Sequence, residues 1–171
     1  GIEAINNLGN PAALIGHSLG EYTALCLSGY LDYKDALKVI AVRGEEMHKA
    51  VENSNTTMAA VLTGDLEATI EEIEKLNNQG IQIWISNFND PSQIVISSYI
   101  DDMNYLKSNP KALSAKRVIP LEVAGAFHTE IVSSAKKPLE DTLNSIDISE
   151  GKIPVYMNVD AKKVEVSTLK E

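Results

Sequence analysis

The pentapeptide GHSLG (residues 16–20) ends the apolar run of residues 11–16 and opens a stretch of helical character over residues 19–28. No other feature constrains the chain as tightly. A serine between glycines at a strand-to-helix turn has its oxygen lifted clear of the strand end. The free N–H groups and the positive dipole end of the following helix face the same spot. The flanking positions need residues with no side chain in the way. This arrangement requires a strand before Ser18, a helix after it and a buried sheet to carry both, which predicts an α/β body. The plain alternative is a Gly-Ser turn that merely caps a helix.

The pattern continues in both directions. Asp32 is expected to cap a second helix over residues 33–51, with Ala36, Leu37, Ile40, Met47 and Val51 on its apolar side. Residues 52–57 read as a polar loop. A strand over 58–64, a capped amphipathic helix over 65–80, strands over 81–88 and 93–97 joined by a turn at Pro91, a helix over 99–108 and a strand over 116–123 follow. This β-α-β-β-α-β order is that of the ferredoxin-like split unit. It is expected as an insert, residues 56–122. Residues 1–55 and 123–171 are expected to form an α/β-hydrolase-like subdomain with a mostly parallel sheet. After the insert come a helix to about residue 144, with a kink at Pro138, and a strand over 152–159. No repeat or low-complexity segment interrupts the chain.

A nucleophilic serine needs a base, and the chain has three histidines. His17 adjoins Ser18, so its ring should point away from the serine oxygen, as a packed or hydrogen-bonding neighbour. His48 lies among Glu45 and Lys49 on a polar helix face. His128 sits in GAFHTE, a small-residue loop that runs into a helix start and can aim a ring into a cleft, so it is the preferred base. Arg43 falls close to the apolar stripe of its helix, where a cation needs an acceptor. It is either a snorkelling or salt-bridged residue, with Glu45 or Glu46 as partner, or a fixed carboxylate receptor whose planar fork takes two oxygens at once. Periodicity alone leaves both open.

Bulk properties narrow the classes. The chain has 171 residues, 44% of them hydrophobic, and a net charge of −9 with no basic run. Nucleic acid and acidic membrane surfaces are not expected as partners. The lone Cys26 excludes an internal disulfide and reads as a small packed residue. No apolar run approaches the length of a membrane span. No resident metal or cofactor is expected, and a cytoplasmic location is the default.

The motifs GHSLGEYTAL, VRGEEM with Arg43, NFNDPSQIVIS, GAFHT and IPVYMNV, in this order, closely resemble the malonyl-CoA:acyl-carrier-protein transacylases. The acyltransferase domains of polyketide synthases share the pattern. The resemblance covers essentially the whole chain and implies a hydrolase-like large subdomain with a ferredoxin-like small one. It implies Ser18 as the nucleophile that carries the malonyl group as an ester and His128 as the general base. Arg43 then pairs with the malonyl carboxylate, and the Leu19 N–H forms half of an oxyanion hole. Asn89 matches a residue near the cleft, and His17 a substrate-side neighbour of the serine. Phe127 stands where related enzymes discriminate side branches, so its ring should disfavour methylmalonyl groups. The implied partners are malonyl-CoA and an acyl carrier protein, with a monomeric working state. Lys116, Arg117, Lys136 and Lys137 are candidates for meeting the acidic carrier. Family members also carry glutamines before and after the stretch that this chain spans, which complete the oxyanion hole and orient the histidine. The chain therefore reads as the central part of a catalytic domain. Polyketide assembly, hydrolysis of acyl groups and non-catalytic binding are the competing functions.

Overall fold

The computed structural model describes residues 11–169. The ends of the expected first subdomain, residues 1–10 and 170–171, lie outside the described residues. The described residues form two compact units, one of residues 11–44 with 137–169 and the other of residues 45–136.

In the first unit, β1 (Leu14–Ile15) pairs in parallel with β6 (Val155–Tyr156), and the Leu14 N–H donates to the Pro154 carbonyl at 2.8 Å. Both strands are shorter than the apolar runs that announce them. Leu14 packs against the core, but Ile15 is 80% exposed, so only one face of this ribbon is buried. Residues 11–16, an apolar run that reads as a buried strand, are thus buried on one face only. Adjacent residues of a strand point to opposite faces, and the described residues cover one of them.

Helix α1 (Gly20–Ser28) ends at Gly29, whose φ of 91° closes the helix in the left-handed conformation that glycine adopts without strain. Helix α2 (Tyr33–Val51) starts where Asp32 accepts the Lys34 N–H at 2.8 Å. Its buried stripe includes Ala36, Val39 and Val51, while Leu37 is 48% exposed. Leu37 therefore leaves the expected apolar side and Val39, fully buried, joins it. One residue is 100° of helix rotation, enough to carry a side chain off a narrow stripe. Ala24, Leu25, Tyr30, Leu31, Ala36, Val39, Ile146, Val155 and Val164 form the core of this unit, with half-buried Cys26 packed against it.

The second unit holds the β-α-β-β-α-β body. It runs through β2 (Thr56–Thr63), α3 (Leu66–Asn78), β3 (Ile83–Asp90), β4 (Gln93–Tyr99), α4 (Ile100–Ser108) and β5 (Ala115–Pro120). The sheet order is β3-β4-β2-β5 and every neighbouring pair is antiparallel, the ferredoxin-like arrangement. Asp65 caps α3 by accepting the Ala68 N–H at 3.0 Å. Alternation along the strands sends Ala59, Val61, Ile83, Ile94, Ile96 and Val118 to the face shared with Ile73, Met103 and Leu106. Fully burying such aliphatic side chains stabilises by about 1.5–3 kcal/mol each.

The segment after β5 departs from the expected single kinked helix. A 3-10 turn over Glu130–Ala135 leads into α5 (Lys136–Asn144). Pro138 is the third residue of α5. It sits in the first turn, where a missing N–H removes no helical bond, so it starts the helix and does not kink it.

Candidate active site

Each unit carries part of the expected site. In the first, β1 runs into the turn and α1 leaves it. Ser18 has φ of 52°, a left-handed conformation that costs a non-glycine residue about 1 kcal/mol or more. Three short-range bonds close the turn: Gly20 N–H to the His17 carbonyl at 2.9 Å, Glu21 N–H to Ser18 at 3.2 Å and Tyr22 N–H to Leu19 at 3.2 Å. The two glycines have different roles. A Cβ at Gly16 would fall well inside 3.0 Å of the Gly20 carbonyl group and the Glu21 nitrogen. A Cβ at Gly20 would meet nothing outside its own helix. Strand end and helix start touch at Gly16, and only that glycine is required for space.

Two residues not anticipated as site residues latch the turn. The Ser18 N–H donates to Asn158 Oδ1 at 2.7 Å, and the Asn158 N–H donates to Glu21 Oε1 at 2.6 Å. Glu21 belongs to α1 and Asn158 follows β6, so the Ser18 backbone is tied to both flanking elements. The motifs GHSLGEY and YMNV contained these residues. Their partnership spans 137–140 residues of sequence, which no local pattern reports.

Arg43 Nη2 donates to Ser18 Oγ at 2.8 Å. The guanidinium also lies over the Tyr22 ring, 5.8 Å from its centroid. Burial pushes the Tyr22 phenol above its ordinary range, and the Arg43 charge partly offsets that rise. Glu45 and Glu46, the salt-bridge partners considered for Arg43, both pair with Lys49, at 2.6 Å and 2.8 Å. Arg43 thus meets the Ser18 hydroxyl, while the two glutamates meet Lys49. Leu19 precedes the first helical residue, so its N–H lies at the positive end of α1. His17 is exposed and its carbonyl serves the turn.

In the second unit, His128 is exposed and has φ of 58°, the same strained region as Ser18. Its neighbours are bonded, and Ala126 is fully buried. The Ala126 N–H donates to Thr56 Oγ1 at 2.9 Å, and Thr129 Oγ1 donates to the Ala126 carbonyl at 2.8 Å. Half-buried Phe127 presents its carbonyl to Ser97 Oγ at a long 3.5 Å. Glu130, past the turn, accepts from Trp84 Nε1 at 3.1 Å. Asn89 does not join this group. Its amide donates to Gln93 Oε1 at 3.0 Å beside the β3–β4 turn. Gln93 lies four residues, about 13 Å of strand, from Ser97. Of the cations considered for a carrier surface, Lys116, Arg117 and Lys136 are exposed, and Lys137 is engaged by Asp141 at 2.7 Å.

Among the described residues no group of three or more His, Cys, Asp and Glu could hold a metal ion. No helix there is long and apolar enough to cross a membrane. The described chemistry of the first unit is that of a strained serine with its backbone clamped and a guanidinium on its oxygen. That of the second is an imidazole on a buttressed turn.

Comparison with known proteins gives this geometry a family. A malonyl CoA-acyl carrier protein transacylase of Bacillus subtilis (strain 168) is 40% identical over 151 residues, 88% of this chain and 48% of that protein. The structure of an acyl carrier protein S-malonyltransferase from Vibrio cholerae superposes with a TM-score of 0.84 at 33% identity, over 98% of this chain and 56% of the other. A malonyl-transacylase structure described in complex with a type II PKS acyl-carrier protein gives a TM-score of 0.85 at 30% identity, over 98% of this chain and 55% of the other. The chain spans about half the length of the curated relatives it matches. Residues 3–171 match the family described as "Acyl transferase domain", which is nearly the whole sequence, and the chain belongs to that family.

Proposed function

We propose that this chain carries the nucleophile, base and acid-recognition residue of a malonyl-CoA:acyl-carrier-protein transacylase serving fatty-acid synthesis. The observation that carries the reading is the 2.8 Å contact of Arg43 with Ser18 Oγ. A guanidinium so close to the nucleophile suits an acyl group with a carboxylate one methylene beyond the ester carbonyl. The fork that rests on the serine oxygen is then released to that carboxylate, which it can bind through two parallel hydrogen bonds.

The reaction follows two balanced halves. His128 takes the Ser18 hydroxyl proton as Oγ attacks the malonyl thioester carbonyl. The oxyanion that develops is met by the Leu19 N–H at the start of α1. The carbon–sulfur bond breaks, the coenzyme A sulfur recovers the proton from His128, and malonyl-Ser18 remains. In the second half His128 takes the proton of the carrier's phosphopantetheine thiol. The sulfur attacks the ester, and Ser18 leaves with the proton. Phe127, beside the base, narrows the space for an α-branch, which favours malonyl over methylmalonyl groups. The working unit is a single cytoplasmic copy with malonyl-CoA and an acidic carrier as its partners.

The test is acyl selectivity. Charge-assisted hydrogen bonds contribute about 1.5–3 kcal/mol each. Arg43→Ala should therefore cut the preference for malonyl-CoA over acetyl-CoA by about 100-fold or more in kcat/KM, at about 1.4 kcal/mol per tenfold. An unchanged preference in a folded, active Arg43→Ala variant overturns the assignment. A second reading, the same chemistry supplying a polyketide carrier, is favoured by the matched transacylase described with a type II PKS carrier. Turnover with purified carriers of the two kinds separates these readings.

A further inference from the structure

The turn that bears His128 is held in part by its own backbone. The Phe127 N–H reaches back to the Gly125 carbonyl at 2.9 Å. One outward tie of this turn is the Ala126 N–H, and that donor goes to a threonine 70 residues earlier. Thr56 Oγ1 in turn lies 2.6 Å from Ser54 Oγ. The direction of that bond follows by elimination. Ser54 gives its one hydroxyl hydrogen to the Val51 carbonyl at 2.8 Å. Thr56 must therefore donate to Ser54 and keep its oxygen lone pairs for Ala126. The result is a one-way chain: Ala126 N–H to Thr56, Thr56 O–H to Ser54, Ser54 O–H to Val51, the last residue of α2.

The chain is buried where it matters. Thr56 is 5% exposed and Ala126 fully buried, so water does not readily replace the bond. Hydrogen bonds aligned in this way polarise one another. The packing agrees with the bonding. A Cβ at Gly125 would lie 2.5 Å from Val51 Cβ and 3.2 Å from Thr56 Oγ1, so the turn is seated directly on these two residues. On the other side, Ser97 faces the Phe127 carbonyl and accepts from Ser86 at 2.6 Å if its own hydrogen goes to that carbonyl.

We propose that Thr56 is a positioning residue for His128: through Ala126 it sets the strained turn from which the imidazole projects. The inference rests on the reading of His128 as the base. Its consequence is specific to position. Losing the hydroxyl should misplace the ring without touching acyl recognition, and a misplacement of about 1 Å costs of order 100-fold in rate.

The experiment compares Thr56→Val, which keeps the shape and removes the acceptor, with Thr56→Ser, which restores it. Two readouts are taken. The first is the NMR titration of the three imidazoles without substrate, with His128 assigned through His128→Ala. The second is kcat and KM for malonyl transfer. Thr56→Val should shift the His128 titration while leaving those of His17 and His48 in place. It should also lower kcat about 10–100-fold with KM within about twofold. Thr56→Ser should return both readouts toward the parent protein. If Thr56→Val does not fold, Ser54→Ala, which removes the next link, should give the same shifts at smaller amplitude. A folded Thr56→Val with unchanged His128 titration and kcat, or a Thr56→Ser as impaired as the valine variant, overturns the proposal. If His128→Ala keeps full activity, the base assignment fails, while the substrate-free titration still decides whether Thr56 sets the turn.

Discussion

Replacing Gly16 by alanine should damage this protein far more than replacing Gly20, although both flank the same serine in the same motif. A methyl carbon at Gly16 would sit inside 3.0 Å of the Gly20 carbonyl carbon and oxygen and of the Glu21 nitrogen. Carbon atoms in ordinary contact stand about 3.5–4.0 Å apart. The obstacles are backbone atoms of the first turn of α1, so no rotamer change relieves the overlap. Full relief requires that the strand end and the helix start part by about 1.4 Å or more. That motion strains the bonds which close the turn, including Glu21 N–H to Ser18 at 3.2 Å and Ser18 N–H to Asn158 at 2.7 Å. Overpacking against yielding side chains costs about 1–3 kcal/mol, and here the cost should be about 3–5 kcal/mol. For a chain of this size 1 kcal/mol shifts Tm by about 2–4 °C, so Gly16→Ala should melt roughly 10 °C below the parent. At Gly20 the same methyl group meets nothing outside its helix, and alanine is the better helix former by up to about 1 kcal/mol. Its Tm should stay within about 3 °C of the parent or rise. Thermal unfolding followed by circular dichroism measures both. Equal Tm values for the two variants would refute the claim that the turn closes on Gly16.

Other outcomes follow from the same geometry. Asn158→Ala removes the acceptor of the Ser18 N–H and should slow Ser18 acylation about 10–100-fold with little change in substrate KM, measured by rapid quench. Tyr22 should titrate above the ordinary tyrosine range, because burial outweighs the Arg43 charge. Arg43→Ala, which removes the lowering influence, should move it higher still in a spectrophotometric titration. The sign for stability follows. The folded phenol holds its proton longer than the unfolded one, so its contribution is complete below the ordinary tyrosine value and is lost as pH rises through the folded value. A Tyr22→Phe variant should lose less stability than the parent across that alkaline window, and an identical alkaline decline would contradict the assignment.

The parts of the structure that could be read from sequence are those governed by short-range rules. Asp32 and Asp65 begin their helices as capping chemistry requires, and Gly29 ends α1 in the left-handed conformation. The alternation of β2 to β5 fits the sheet order because each register slip would turn the buried residues outward. Ser18 was legible because its turn is local. Arg43 was half legible: its helix face showed a cation in an apolar place, but whether Glu45 or Glu46 meets it depends on folding, and its contact with Ser18 was not foreseen. Errors arose where the deciding fact was remote. Ile15 belongs to an apolar run, yet its exposure depends on which chain segments cover the ribbon. Leu37 and Val39 exchanged roles because a helix stripe is fixed by what packs on it. Pro138 depended on where the 3-10 turn hands over to α5. Asn158, Glu21 and Thr56 carry no local mark at all, since their partners lie 70 to 140 residues away.

The central claim is that Ser18 carries the acyl group. The most direct test is the intact mass of the protein after brief exposure to malonyl-CoA, with Ser18→Ala treated alongside. A single malonyl adduct on the parent chain, absent from Ser18→Ala and mapped by peptide mass to residues around the turn, is the predicted result. An adduct that persists in Ser18→Ala would contradict the account, because the acyl group would then be carried by a different residue.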